Sequence, residues 1–194
     1  MENRLIVSPS PHLHTEDSVQ KIMWAVSLAL LPAAGASVYF FGLKALWIII
    51  LAIASAVATE AILQKLSKNK VQISDGSAFL TGLLLAYNLP PSVPFWIPVV
   101  GSFFAIFIGK FVFGGLGKNI FNPALVGRAF LMSSWPGLMT SFIKPFGYKY
   151  DAITTATPLA ALKEGKVMEH ISNLNLFLGN RPGCIGEVCV LALL

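Results

Sequence analysis

From Ile22 to Leu43 no side chain carries a charge, and after Lys44 the next charge is Glu60. Apolar runs of this length suit a hydrocarbon core about 30 Å thick, which a helix of roughly 20 residues crosses. The rest of the composition agrees. Charged residues make up 12% of the 194-residue chain, against about 25% in soluble domains. The net charge of +5 does not point to nucleic acid, because Lys and Arg are scattered between apolar runs and form no basic face. Beside spans, such an excess is an orientation signal. The sequence predicts an all-α integral membrane protein, a polytopic helical bundle of full spans and interrupted half-helices.

Residues 1–18 read as a cytoplasmic N-terminal segment. Pro9 and Pro11 exclude a regular helix there, and His12 and His14 lack a third metal ligand. No apolar region precedes a small-residue cleavage site, so the first span itself must direct insertion. Thr15 to Ser18 supply capping oxygens and acidic residues for a helix start. Residues 19–135 form the expected bundle. Its first span runs from about Val19 to Phe41, with a kink at Pro32 and small residues Ala33 to Ser37 for close helix approach. Gly42-Leu-Lys44 is a tight turn, and the second span runs from about Ala45 to Leu63. Glu60, near its end, is expected at the interface, with an ion-pathway carboxylate as the alternative. Lys65, Lys68 and Lys70 then place the following loop, and hence the N-terminus, in the cytoplasm.

Two segments beyond that loop are interrupted. Ser74 to Pro91 has an apolar core, Ala78 to Leu89, shorter than a span, with polar residues entering it and Asn88-Leu-Pro-Pro91 leaving it. A full span from Ile73 to Leu89 is the alternative. Pro94 to Phe113 is expected to cross fully, with Lys110 near its inner end. Gly114 to Leu131 is the second interrupted segment, in which Asn122-Pro123 breaks or starts a short helix to Trp135. Two such Gly/Pro-interrupted segments flanking a full span point to a transporter-like core. Arg128 must face protein, a cavity, an anionic group or the interface. As polar groups of an interrupted segment, Arg128, Asn119 and Asn122 are candidates for lining a cofactor or ion site.

Residues 136–181 then form a non-cytoplasmic loop, and 182–194 read as the opening of a further membrane helix, as if the chain were cut there. Cys184 and Cys189 are too few for a disulfide framework and carry no cluster spacing; both read as small apolar residues of that helix. No Walker loop, Ser/His/acid motif or dinucleotide fingerprint is present. The loop contains Asp151, Thr154 and Thr157, spaced at three and so on one face if the segment is helical or turn-like. Thr157 precedes Pro158, which biases it towards extended backbone.

Asp151-Ala-Ile-Thr-Thr-Ala-Thr157 resembles the flavinylation motif Asp-x-x-Ser/Thr-x-Ala-Thr, with Thr155 where Gly is frequent. Ser10-Pro-His12, Asp75-Gly-Ser-Ala-Phe-Leu-Thr-Gly82, Gly114 to Ala124, Gly127-Arg-Ala-Phe130 and Ala156-Thr-Pro-Leu159 resemble the RnfD family, the D-type membrane component of Rnf complexes. That family is related to the B-type component of the sodium-pumping NADH:quinone reductase. The resemblance implies a redox subunit of an ion-translocating electron transport complex in a prokaryotic cell membrane. It implies FMN attached as a phosphoester to Thr157 by a flavin transferase that recognises Asp151 and Thr154, and it leaves open a second, noncovalent flavin. The implied partners are other membrane and flavoprotein subunits and the lipid bilayer. A channel or permease with broken helices and no redox cofactor, and a purely structural membrane subunit, are the alternatives.

Overall fold

The computed structural model describes residues 18–67, 74–146, 154–155, 163 and 177–194. The described fold is mostly helical. Ser18 caps the first helix, α1 (Val19–Ala29), by accepting from the Lys21 N–H at 3.2 Å. The chain breaks at Leu30 and continues as α2 (Leu31–Phe41), with Pro32 in its first turn. The break lies just ahead of Pro32 because proline has no N–H to give to the carbonyl four residues back. Gly42 alone makes the next turn, at φ 74°, a conformation that only glycine adopts without strain. Helix α3 (Leu43–Leu66) follows, 24 residues or about 36 Å long. Val19–Phe41 and Leu43–Leu66 are long and apolar enough to cross a membrane.

The next helices are short. Helix α4 (Ser77–Tyr87) has 11 residues, about 16 Å, which favours the interrupted reading of this stretch over a full span from Ile73. Helix α5 (Trp96–Ile106) runs into one π-helical turn, Phe107–Phe111. This helix falls short of the Pro94 to Phe113 span expected from sequence. Gly114 and Gly115, at φ 98° and 97°, turn the chain away at its C-terminal end. Helix α6 (Pro123–Ser134) is the second short helix, capped by the Asn122 side chain, and α7 (Pro136–Met139) adds a single turn. A two-residue antiparallel ladder pairs β1 (Phe142–Ile143) with β2 (Thr154–Thr155).

Helix α3 packs against α4 and α5, and α5 against α6. Glycines set the closeness of these contacts. A Cβ on Gly82 would lie 2.7 Å from Ile53 Cα, and one on Gly127 would lie 2.7 Å from the Gly101 carbonyl. Small residues at helix crossings let backbones approach in this way. The core between them holds Ile48, Ala52, Leu83, Leu89, Ile97 and Leu131.

The C-terminal stretch differs from its expected form. Residues 182–194 run as successive turns and not as the start of a helix. Their backbone donors are engaged elsewhere: Ile185 N–H bonds the Leu89 carbonyl and Gly186 N–H the Tyr87 carbonyl, at 2.9 and 3.0 Å. The Ser37 hydroxyl adds a bond to the Ile185 carbonyl at 2.7 Å. Cys184, Ile185 and Val188 are buried by this docking.

Candidate functional site

The described residues enclose one concentration of buried charge. Lys110, in the π-turn, is 3% exposed and Glu60, on α3, is 4% exposed. Lys110 Nζ lies 2.6 Å from Glu60 Oε1 and donates to Ser77 Oγ at 2.5 Å. The Gln64 side-chain amide also donates to Glu60 Oε1, at 2.9 Å. Glu60 Oε2 is buried with no hydrogen-bond partner. Glu60 was expected at the interface, with an ion-pathway carboxylate as the alternative, and Lys110 near the inner end of its span; the structure buries both side chains within the protein. Glu60 projects from α3 towards α4 and α5, and Lys110 is turned inward on the same buried face as Ser102 and Ile106. The π-turn holds it there: Val112 N–H reaches back five residues to the Phe107 carbonyl at 3.0 Å. Single π-turns of this kind are frequent at functional sites. Gly109, beside Lys110, sits so close to α6 that a Cβ would meet Pro123 Cα at 2.7 Å.

A cavity of about 260 Å³ opens beside the ion pair, with Ser77, Thr81, Lys110, Asn119 and Asn122 among its lining and Leu80, Leu84 and Met23 as apolar wall. Ser77 is the first residue of α4, and Asn122 and Pro123 open α6. The two short helices therefore direct their N-terminal ends, with their partial positive charge and unpaired N–H groups, at one cavity. Some of those donors are already used. Asn122 Oδ1 accepts from Ala124 N–H at 3.0 Å, and Asp75 Oδ1 accepts from Ser77 N–H at 3.1 Å. With the Lys110 ammonium, the wall favours a ligand that carries or acquires negative charge. Among the described residues no group of three or more His, Cys, Asp or Glu could hold a metal ion.

The sequence candidates separate in space. Asn119 and Asn122 meet at this cavity, where Asn122 also caps α6 and Asn119 donates to the Phe121 carbonyl at 3.0 Å. Arg128 is not in its lining. It is half-buried on α6 and donates from Nη1 to Asn88 Oδ1 at 2.5 Å, tying α6 to the C-terminal end of α4. Thr154 is described through its backbone, paired with Ile143. Thr154 and Thr155 are thus extended, so the helical form of the Asp151, Thr154 and Thr157 spacing does not hold at these two residues. Asp151 and Thr157 lie outside the described residues. Sequence reading did not join Glu60 to Lys110. The signal available was one carboxylate and one ammonium, each inside an apolar helix, which in a membrane must find each other or water.

Residues 6–194 match the NQR2, RnfD, RnfE family. The chain belongs to this family. It is 52% identical, over its whole length and 61% of the relative's, to the D component of the Na⁺-translocating ferredoxin:NAD⁺ oxidoreductase complex of Acetobacterium woodii. It is 48% identical, over 99% of the chain and 60% of the relative, to the D component of the proton-translocating ferredoxin:NAD⁺ oxidoreductase complex of Clostridium ljungdahlii. It is 44% identical, over 72% of the chain and 40% of the relative, to the D component of an ion-translocating oxidoreductase complex of Salmonella paratyphi A. The chain spans about three fifths of the length of the first two relatives. Membership fits the apolar spans and short helices, and makes this a member of a membrane-subunit family whose relatives are named as parts of an oxidoreductase complex.

Proposed function

We propose that the protein is a redox subunit of an ion-translocating ferredoxin:NAD⁺ oxidoreductase complex, carrying FMN on Thr157 and coupling its electron transfer to movement of Na⁺ or H⁺. The observation that carries this reading is the continuous similarity, across the whole chain, to relatives named as the D component of such complexes. Those two names specify different ions, so the reading is of a monovalent cation pump and leaves the ion open. The motif Asp151 to Thr157 supports the covalent flavin, with Asp151 and Thr154 as recognition positions for the transferase. Flavin supplies the one-electron chemistry, and the protein supplies position and electrostatics. The flavin loop lies on the non-cytoplasmic side in this reading, with the N-terminus in the cytoplasm, as the lysines at 65–70 imply.

The cavity beside Lys110 is our proposed seat for a second, noncovalent flavin. Hydrogen-bonding groups from Asn119, Asn122, Ser77 and Thr81 against a Leu and Met wall suit a flat heteroaromatic ring. Its volume lies just under the roughly 300–1,000 Å³ of sites that enclose a whole drug-sized ligand, so it suits a ring better than a complete nucleotide. Arg128, away from the cavity, serves here to fix α6 against α4.

The test is Thr157→Ala in the assembled complex. The protein's band loses its flavin fluorescence after denaturing electrophoresis, and a band that still fluoresces rules out this attachment site. Leu84→Trp, which fills the cavity, lowers acid-extractable flavin while the fluorescent band persists. Unchanged extractable flavin removes the second site alone.

A further inference from the structure

At the end of the bundle where α2 turns into α3, one aromatic ring stands open and is propped by two others. Tyr39, in the last turn of α2, is 67% exposed. Phe40 and Phe146 meet it in edge-on contacts, their ring centres 5.3 and 5.4 Å from its own. Phe146 takes φ 60° and is the one non-glycine residue at positive φ among the described residues. For a bulky side chain that backbone is an outlier, kept only where neighbours over-determine it. Here the Phe146 N–H is bound to the Phe40 carbonyl at 2.8 Å. A tyrosine that merely anchors a helix among lipid headgroups needs no such support. A cation stands at the other end of β1. Lys44 Nζ, just past the Gly42 turn, donates to the Ser92 carbonyl at 2.8 Å, and Ser92 Oγ donates to the Ser141 carbonyl at 2.6 Å. Two of the three ammonium donors remain, and no carboxylate among the described residues pairs with it. Ser141 directly precedes β1 and Phe146 follows it by three residues. The ammonium and the aromatic group therefore flank the ladder that holds Thr154 and Thr155.

We propose that this end of the bundle seats the covalent flavin, with Tyr39 stacked on the isoalloxazine ring and Lys44 paired with the phosphoester. This rests on the reading of Thr157 as the attachment residue. The antiparallel register sets Ile143 against Thr154 and Phe142 against Thr155, so β2 runs towards the end of β1 at which Ser141, Ser92 and Lys44 are linked. Covalent reach keeps Thr157 within about 7 Å of Thr155. A phosphate esterified to a threonine and to the ribityl chain keeps one ionisable oxygen and a single negative charge, which one ammonium balances. The five-carbon ribityl chain lets the ring lie back along β1 towards Tyr39. By the same reach the Cα atoms of Ser141 and Phe146 are at most about 18 Å apart. The oxidised isoalloxazine is electron-poor and gains most from an electron-rich phenol face, while the reduced ring gains less. Tyr39 therefore favours the oxidised form and lowers the flavin's potential. Lys44 holds the far end of the cofactor and orients it.

The experiment compares Tyr39→Leu, Tyr39→Phe and Lys44→Met with the wild type in the intact complex, by potentiometry and by the fluorescence of the native flavin. The Thr157→Ala complex is the blank that removes the signals of the other flavins. Lys144, exposed beyond β1, is the same in every sample and cancels. Tyr39→Leu keeps the fluorescent band after denaturing electrophoresis and raises the midpoint potential of the covalent flavin, by up to tenfold in the equilibrium constant, or about 59 mV for one electron. Its native flavin fluorescence rises several-fold, because no phenol is left to lend the excited ring an electron and take it back. Tyr39→Phe keeps the stack and loses the oxidisable phenol, so its fluorescence rises while its potential stays near that of the wild type. Lys44→Met leaves the potential alone and lowers the fluorescence anisotropy of the flavin; Lys44→Arg restores it. A tyrosine that only anchors α2 predicts no change in either flavin signal, and that result in Tyr39→Leu overturns the seat. If Tyr39→Leu does not assemble, unchanged fluorescence in Tyr39→Phe overturns it instead. Unchanged anisotropy in Lys44→Met overturns the phosphoester pairing. A wild-type band without flavin overturns the reading of Thr157 and this inference with it.

Discussion

Lys110→Met should destabilise the fold far more than its loss of one side-chain charge suggests. The substitution removes the 2.6 Å pair to Glu60 and the bond to Ser77. It leaves the Glu60 carboxylate 4% exposed with one oxygen already unpartnered. Stripping one member from a buried pair costs about 3–5 kcal/mol, because the surviving charge stays buried. The Ser77 bond is a minor part of this, since hydrogen bonds between membrane helices average about 0.6 kcal/mol in double-mutant cycles. Ser77→Ala should therefore cost under about 1 kcal/mol. The double variant Glu60→Met/Lys110→Met removes both charges and should recover most of the loss, as apolar replacement of a whole buried pair is often neutral or stabilising. The assay is reversible unfolding of the full-length protein from mild micelles with increasing SDS, followed by tryptophan fluorescence, across the double-mutant cycle. The reasoning is refuted if the double variant is no more stable than Lys110→Met, or if Ser77→Ala costs as much as Lys110→Met. Either result would mean that Glu60 does not depend on the ammonium for its burial.

Three further outcomes follow from the geometry. Gly82→Ala places a methyl 2.7 Å from Ile53 Cα and 2.8 Å from the Ala52 carbonyl, so α3 and α4 must separate. A cost of about 1–3 kcal/mol is expected in the same SDS assay, against no loss for Gly137→Ala, where a Cβ meets nothing within 4 Å. Cys184 lies outside every helix, and burial first, then the Glu187 carboxylate, pushes its thiol up to about 12. Because the thiolate is the reactive form, maleimide at about pH 7 to 8 should label half-buried Cys189 well before Cys184; equal rates would contradict the docking of this segment. Ser37→Ala removes the hydroxyl bond to the Ile185 carbonyl and should speed Cys184 labelling without altering that of Cys189.

Much of the architecture is written locally. Ser18, Pro32, Gly42 and Asn122 each act within their own turn, by capping, blocking or reversing it, and each falls at a helix boundary in the structure. The shortness of α4 and α6 was legible for the same reason, since Gly76 and Asn122-Pro123 start them and Asn88 and Trp135 end them. The C-terminal stretch was misread because its hydropathy is that of a helix while its donors are bound to Tyr87 and Leu89, roughly a hundred positions earlier. Composition cannot reveal a pairing at that separation.

The buried pair was hidden for a further reason, and that reason bears on how the site works. Glu60 and Lys110 are 50 positions apart, and each taken alone sits near a helix end, where a long side chain ordinarily reaches water. What keeps Lys110 inside is a change of helical pitch at Phe107–Phe111, for which its sequence carries no motif. The π-turn holds Gly109 against Pro123 and Lys110 over Ser77, so the ammonium, the start of α4 and the start of α6 converge on one cavity. The ammonium and the two helix starts then face it, with Asp75 Oδ1 accepting from the Ser77 N–H at the start of α4, while the Glu60 carboxylate stands behind the lysine and outside the lining. In that order of charges, any gain of negative charge in the cavity weakens the hold of Lys110 on Glu60. Reversing the order, with the carboxylate on the wall and the lysine behind it, would repel the same ligand.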